Sequence, residues 1–403
     1  MPEYYLHGCE VVEITDGIRA IQTVKSSIIG LIGTAPDADA ATFPLNKPVL
    51  LLGEPRKAAL LGADGTLKDA IDAIYDQCSA LVVVVRVEEG VDLAATISNI
   101  IGDATLMTGV HAFKAAQSEA KVIPRILVAP GFTSLRPEDA ENPGTYLANP
   151  VVAELQGIAD ELRSVIIADG PNTTYADAIT YREDWGSARI YVVDPFVKVW
   201  DTDLAAAVSL PASARVAGLI AKMDNDNGFW WSPSNKVIAG IVGVARPIGF
   251  TLSNPNCEAN LLNENEVATI VQADGYRLWG NRTTSDDPQW AFLSVRRTAD
   301  MIYESIEAAM LWAMDRPMSA NLVLDVQGSV NAYLRHLRAQ GAILGGKVWL
   351  DPELNTATTL SAGKLYVDFD IEPPAPLERL TWRAHRNSGY YDELVDQVLK
   401  ATV

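Results

Sequence analysis

Three cysteines among 403 residues, Cys9, Cys78 and Cys257, are too few and too widely spaced for a disulfide framework or a structural zinc site. Histidine is as scarce. His7, His111, His336 and His385 stand far apart, and neither a His-Glu-x-x-His pair nor a Gly-x-Ser-x-Gly elbow occurs. Basic residues are in deficit, 32 against 51 acidic ones, and a net charge of −19 excludes a phosphate backbone as a main partner. The same total does not exclude association between copies, because charges of opposite sign can be segregated on one surface. The longest apolar runs, "IIGLIG" and "ALVVVV", are far too short to cross a bilayer. The opening "MPEYYLHGCEVVEI" lacks both a basic start and an apolar stretch, so it does not read as a secretory signal and cytoplasmic folding is expected.

What is present is the composition of a folded chain, 48% apolar and 21% charged, at a length that calls for two or three domains. Residues 1–25 read as an extended arm, because "CEVVEITDGIRAI" offers strand-forming residues without a turn to supply a local partner. Residues 26–121 read as a small α/β unit in which "SIIGLIGT" and "ALVVVVRV" have the unbroken apolar pattern of buried strands. Between them, "TLKDAIDAIYDQC" spaces Leu67, Ile71, Ile74 and Cys78 along one helical face, with Thr66 placed to cap it. In residues 122–255 strands ("RILVAP", "VIIAD", "RIYVVD") alternate with helices ("NPVVAELQGIADELRS", "TYADAITYREDW", "PASARVAGLIAKM"). Asn149 and Pro150 mark the start of the first helix, and the alternation predicts a mostly parallel, doubly wound sheet.

Residues 256–386 read as an α+β unit. One helix turns Ile302, Ile306, Met310 and Ala313 inward and places Asp300, Glu304 and Glu307 on another face. The next, "DVQGSVNAYLRHLRAQG", buries Val326, Val330, Tyr333 and Leu337 and stops at Gly341. "KLYVDFDIE" alternates as a strand, and beyond "PPAP" the run "LERLTWRAHR" reads as a further one. Residues 387–403 form a second, short arm. The expected class is a multidomain α/β and α+β chain with an arm at each end.

Two motifs fail on context. "GAILGGKV" is one residue short of a phosphate-binding loop, but a helix precedes it and a strand follows, the reverse of the order that aims a helix N-terminus at phosphate. "DNDNGFWW" gathers four oxygen-bearing side chains before Gly228, yet the spacing is not that of a calcium loop, and a turn tied by its own Asx side chains is expected. Asn281-Arg282-Thr283 is a formal glycosylation sequon without a secretory context. No cofactor site is legible.

The least ordinary stretch is "GYRLWGNRTTSDDPQW", with Tyr276, Trp279 and Trp290 around a polar run. Continued to "AFLSVRRTADMIYESIEAAMLWAMDRP", it resembles the signature region of contractile tail sheath proteins, especially those of temperate myophages and R-type pyocins. "HGCEVVEITDGIRAI", "SSIIGLIGTAPDADAATFPLNKPVLL" and "GKLYVDFDIEPPAPLERLTWR" resemble further blocks of that family, in its order, from residue 7 to beyond 380.

The resemblance implies a structural subunit, not an enzyme. It polymerises helically around an inner tail tube protein and contracts to drive that tube through a target envelope. Baseplate and tail terminator proteins are further partners, with no nucleic acid, membrane insertion or cofactor, in a virion or tail-like particle assembled in a bacterial host cytoplasm. It further implies that the arms add strands to neighbouring subunits, through Val11, Val12 and Ile14 at one end and Leu394, Val395 and Val398 at the other. In that frame Trp279, Asn281, Arg282, Asp287 and Trp290 form a rigid corner of an inner domain. Arg335 and Arg338, three residues apart on one exposed face, are candidates for the tube contact, although basic residues near a helix C-terminus also complement its dipole. Asp300, Glu304 and Glu307 are the alternative face. The competing readings are an α/β enzyme without a recognisable site and a carbohydrate-binding module using Trp230, Trp231 and Trp279.

Overall fold

A computed structural model describes residues 20–202 and 204–401. The chain begins with β1 (Ile29–Thr34), β2 (Pro48–Leu52), α1 (Leu67–Tyr75), β3 (Leu81–Val87) and α2 (Leu93–Ile101). Then come β4 (Ile126–Val128), α3 (Pro150–Leu162), β5 (Val165–Asp169), α4 (Tyr175–Glu183) and β6 (Ile190–Val193). An antiparallel pair, β7 (Val197–Asp201) and β8 (Ala206–Leu210), precedes α5 (Ser213–Asp226) and the short β9 (Gly243–Val244). After α6 (Glu258–Glu264), β10 (Val267–Gln272) and β11 (Tyr276–Trp279) come two long helices, α7 (Leu293–Met310) and α8 (Ala320–Gln340). The hairpin β12 (Gly345–Trp349) and β13 (Asp368–Glu372) and the helix α9 (Tyr390–Ala401) complete it.

Eight strands make one sheet in the order β11-β10-β6-β5-β4-β1-β3-β2, with the six inner strands parallel and each edge strand antiparallel to its neighbour. The unbroken apolar runs follow from cover on both faces. Along β3, Val82 and Val84 enter one core with α1 and α5, while Val83, Val85 and Val87 enter the other with α3 and residues 110–116. The sheet takes strands from residues 26–121, 122–255 and 256–386 alike, so it does not divide where composition changes. The chain leaves the sheet after β6 and returns as β10 beside it, while residues 235–238, in the irregular stretch after Asn227, hydrogen-bond along β11.

A third core joins α7, α8, β12 and β13 through Met301, Ile302, Val330, Tyr333, Leu334, Leu337, Ile343 and Val348, and takes in Ile21 and Val24 from the N-terminal side. Helix ends mostly obey their local signals. Asn149 Oδ1 accepts from the amides of Val151 and Val152, and Gly341 closes α8 at φ 80°.

Three expectations are corrected. Thr66 stands at the N-cap of α1 as expected, but its side chain makes no capping bond; its hydroxyl instead accepts from Thr34 N at the end of β1. The "DNDNG" run is not a free Asx turn, because α5 continues through Asp226 and Asp224 is engaged by Arg297. "LERLTWRAHR" pairs with no strand among the described residues: residues 377–386 are exposed and form neither helix nor strand, although β13 pairs there with β12 alone.

Candidate functional site

The signature stretch folds as a corner between the sheet edge and α7. Gly280, at φ 147°, lets the chain leave β11 tightly enough that a Cβ there would lie 2.7 Å from Ala268 Cα. Its carbonyl accepts from Tyr191 Oη at 2.7 Å. Asn281 meets the Ser232 hydroxyl, and Thr284 N donates to Ile190 O at 3.0 Å, lashing the corner to β6. Arg282 lies over the Phe292 ring and grips Glu378 through two bonds of 3.1 and 2.8 Å. Asp287 caps the short turn Pro288–Trp290 by accepting from Gln289 N at 2.9 Å. Trp279 packs edge-on to Phe250, and Trp290 lies 4.2 Å from the Arg296 guanidinium. Both indoles are half-buried, so they brace the turn and do not plug a core.

Behind the corner, the acidic face of α7 is fully occupied. Asp300, 1% exposed, takes Arg189 at 2.7 and 3.1 Å and Arg296 at 2.7 and 3.2 Å. Glu304 pairs with Arg125, and Glu307 takes both nitrogens of Arg163 at 2.6 and 2.7 Å. Burial pushes the Glu304 carboxyl up and the Arg125 guanidinium down, and their mutual attraction opposes both shifts. Asp300 and Glu304 fasten α7 to the sheet side, while Glu307 at the end of the face stays 63% exposed. Apart from Arg296, one turn earlier on α7, the basic partners lie on distant segments, so no local signal announced them.

The C-terminal ends of the parallel strands are where a doubly wound sheet would carry an active site, at the switch between β1 and β4. Here those ends are closed on themselves. The Asp169 carboxylate is fully buried and accepts from Ser213 N at 2.8 Å, from the Ser213 hydroxyl, and from Thr133 Oγ1 at 3.4 Å. Tyr181 Oη donates to Thr133 O. Burial raises Asp169 to about 6 even though these bonds pull it down. A carboxyl whose folded pKa exceeds its unfolded value of 3.8 adds stability as pH falls through about 6 and loses it as pH rises. Wild type is thus expected to gain on Asp169→Asn in urea unfolding between pH 7 and pH 5. A stability gap that stays constant over that range would refute the burial account.

The tryptophans of the carbohydrate reading are engaged separately. Trp230 is edge-on to Phe229, Trp231 lies under Lys236 at 5.4 Å, and Trp279 meets Phe250. Among the described residues no His/Cys/Asp/Glu cluster could hold a metal ion, and no helix is long and apolar enough to cross a membrane.

Family models described as the phage tail sheath protein central domain, the phage tail sheath C-terminal domain and the tail sheath protein Gp18 domain III N-terminal region match residues 107–284, 285–386 and 26–87. A prophage major tail sheath protein of Pseudomonas aeruginosa (strain UCBPP-PA14) is 39% identical over 97% of this chain and 99% of its own length. The chain belongs to the phage tail sheath family. The tail sheath protein of Escherichia phage P2 is 37% identical over 98% of both chains. The fold agrees with a cryo-EM structure of the anti-feeding prophage baseplate in its contracted state, at TM-score 0.71 and 19% identity, covering 96% of this chain and 100% of that one.

As a tail sheath protein the chain is a structural subunit of a contractile system and not an enzyme. The five residues Trp279, Asn281, Arg282, Asp287 and Trp290 lie between the end of β11 and the start of α7, each with its own separate partner. Arg335 and Arg338 are exposed on α8, and neither side chain has a partner among the described residues. Val11, Val12 and Ile14 lie outside the described residues. Leu394, Val395 and Val398 are exposed along α9, so in the single sheath subunit they stand on a helix and not on a strand. Glu378 and Ser305, which tie terminal segments to the body, carried no sequence signal beyond ordinary polarity, and Tyr333 stood out as a buried position and not as a tie.

Proposed function

We propose that the subunit polymerises helically around an inner tube through a heterologous contact that does not close. The terminal arms connect each copy to its neighbours by strand addition. The carrying observation is the fit between an unpaired segment and an unpaired edge. In residues 377–386, Leu380, Trp382 and Ala384 alternate with Arg379, Thr381, Arg383 and His385, and Trp382 is 85% exposed. Among the described residues β13 pairs only with β12, and it presents Asp368, Asp370 and Glu372 on one face, Phe369 and Ile371 on the other. Beside it opens a cleft of about 580 Å³ walled by Trp290, Tyr303, Ile306, Phe369 and Ile371. Segment 377–386 of a second copy, laid along β13, would set its basic face against the carboxylates and its apolar face into the cleft. The linking arm thus starts near Leu377, ahead of residue 387.

Contraction then repacks the bodies while the mesh persists. The extended state is a kinetic trap released from the baseplate end, and the energy lies in interfaces formed only on contraction. Arg335 and Arg338 are the tube contact in this reading, being exposed and unpaired. A tail terminator at the far end and assembly in the host cytoplasm complete the proposal.

Co-assembly with a tube-forming partner, imaged by negative stain, tests it. Wild type should give tube-filled sheaths. Arg335→Glu with Arg338→Glu should give empty sheaths and lower tube occupancy roughly tenfold, the scale of two reversed exposed charges. A wild type that stays monomeric at high concentration would overturn the polymer reading, and filled sheaths from the double variant would remove α8 from the tube contact.

A further inference from the structure

The segment between the N-terminal arm and the central sheet is held by three separate parts of the body. Ile21 is buried, and Val24 half-buried, in the α7–α8 core. Thr23 Oγ1 and Tyr333 Oη of α8 lie 3.0 Å apart in a hydrogen bond, and Val24 N donates to Ser305 Oγ of α7 at 3.1 Å. Ser26 O accepts from Arg297 Nη2 at 3.2 Å, and Arg297 grips Asp224 of α5 at 2.8 and 2.5 Å. That pair is 4% and 1% exposed, so it couples the α7–α8 unit to the sheet body in a setting where charges are little screened. A cleft of about 480 Å³ lined by Lys25, Ser26, Ser79, Asp224 and Trp230 runs alongside. The segment is pinned at a few points instead of being packed solid.

β1 starts at Ile29 and lies between β4 and β3 in the middle of the eight-stranded sheet. A pull entering the chain at residue 20 would, without these pins, fall directly on the first rungs of that central strand. We infer that residues 21–27 are an anchor. Tyr333, Ser305 and Arg297 divert a load carried by the arm into α7, α8 and α5 and spare β1. This rests on reading residues 1–25 as a linking arm.

The full-length chain carrying Tyr333→Phe and Ser305→Ala tests the anchor, because both changes keep the apolar volume and remove the pins, at the further loss of one bond within α7 from the Ser305 hydroxyl to Met301 O. Lys25 is exposed, and trypsin can cut after it only when the segment opens locally. Cleavage at Lys25 is expected to rise roughly tenfold with little change in the global melt, since each lost bond contributes modestly. Sheaths of the variant should form normally and break into short pieces under shear. Arg297→Lys, which keeps a charge beside Asp224 but lacks the fork that reaches Ser26, should behave alike. Unchanged Lys25 cleavage overturns the anchor, and so do sheaths as strong as wild type when cleavage has risen. Deleting residues 1–20 is the separate control: sheaths that still form would sink the linking-arm reading, whatever the protease shows.

Discussion

A chain ending at Pro376 is expected to fold as before and to form no sheath. Every described residue from Leu377 onward is exposed, so the body loses no core when they are removed. The tie that is lost is Glu378 to Arg282, a pair whose side chains are both about a third exposed, and such pairs contribute roughly 0–1 kcal/mol. The melting temperature should therefore move by only about 2 °C. Polymerisation should vanish, because the truncation removes the alternating segment that matches β13. Sedimentation and negative stain of wild type and truncation at equal concentration decide the matter. Ordinary tubes from the shortened chain would show that the C-terminal segment does not link subunits.

Asp300→Ala should be the most damaging single change on α7. It leaves the guanidiniums of Arg189 and Arg296, both largely buried, without their shared carboxylate. Stripping one partner from a buried ionic cluster costs about 3–5 kcal/mol, whereas Glu307→Ala, at the exposed end of the same face, should cost less than about 1 kcal/mol. Arg189 keeps Asp160 at 2.9 Å, and Arg296 keeps its place over Trp290, which holds the expected loss within that range. Urea unfolding of the two variants side by side is the measurement. Equal losses would mean that the ion pairs do not fasten α7 to the sheet.

Much of the body was legible because local pattern and burial agree there. "VIIAD" became β5 residue for residue, and the Asn149–Pro150 start and Gly341 stop stand where cap chemistry puts them. What could not be read was pairing over distance. The acidic stripe of Asp300, Glu304 and Glu307 looks the same in sequence whether it faces water or three arginines at positions 125, 163 and 189. Strand order is equally silent: nothing local in residues 26–121, 122–255 and 256–386 says that their strands share one sheet. "LERLTWRAHR" carries a true strand pattern, yet among the described residues it pairs with no strand. Leu394, Val395 and Val398 suit a strand or a helix, and in the single subunit they stand on the helix α9.

Both ends of the described chain leave from one small piece of the molecule. Ile21 and Val24 enter the same core as Phe369 and Ile371, the strand after which the C-terminal segment departs. In the language of networks, the proposed mesh makes that piece the node and the arms its edges, while the eight-stranded sheet hangs from the node as a pendant. A pendant can rotate, grow or shrink without adding or deleting a single edge. On that proposal the connectivity of the lattice is decoupled from the bulk of its subunits.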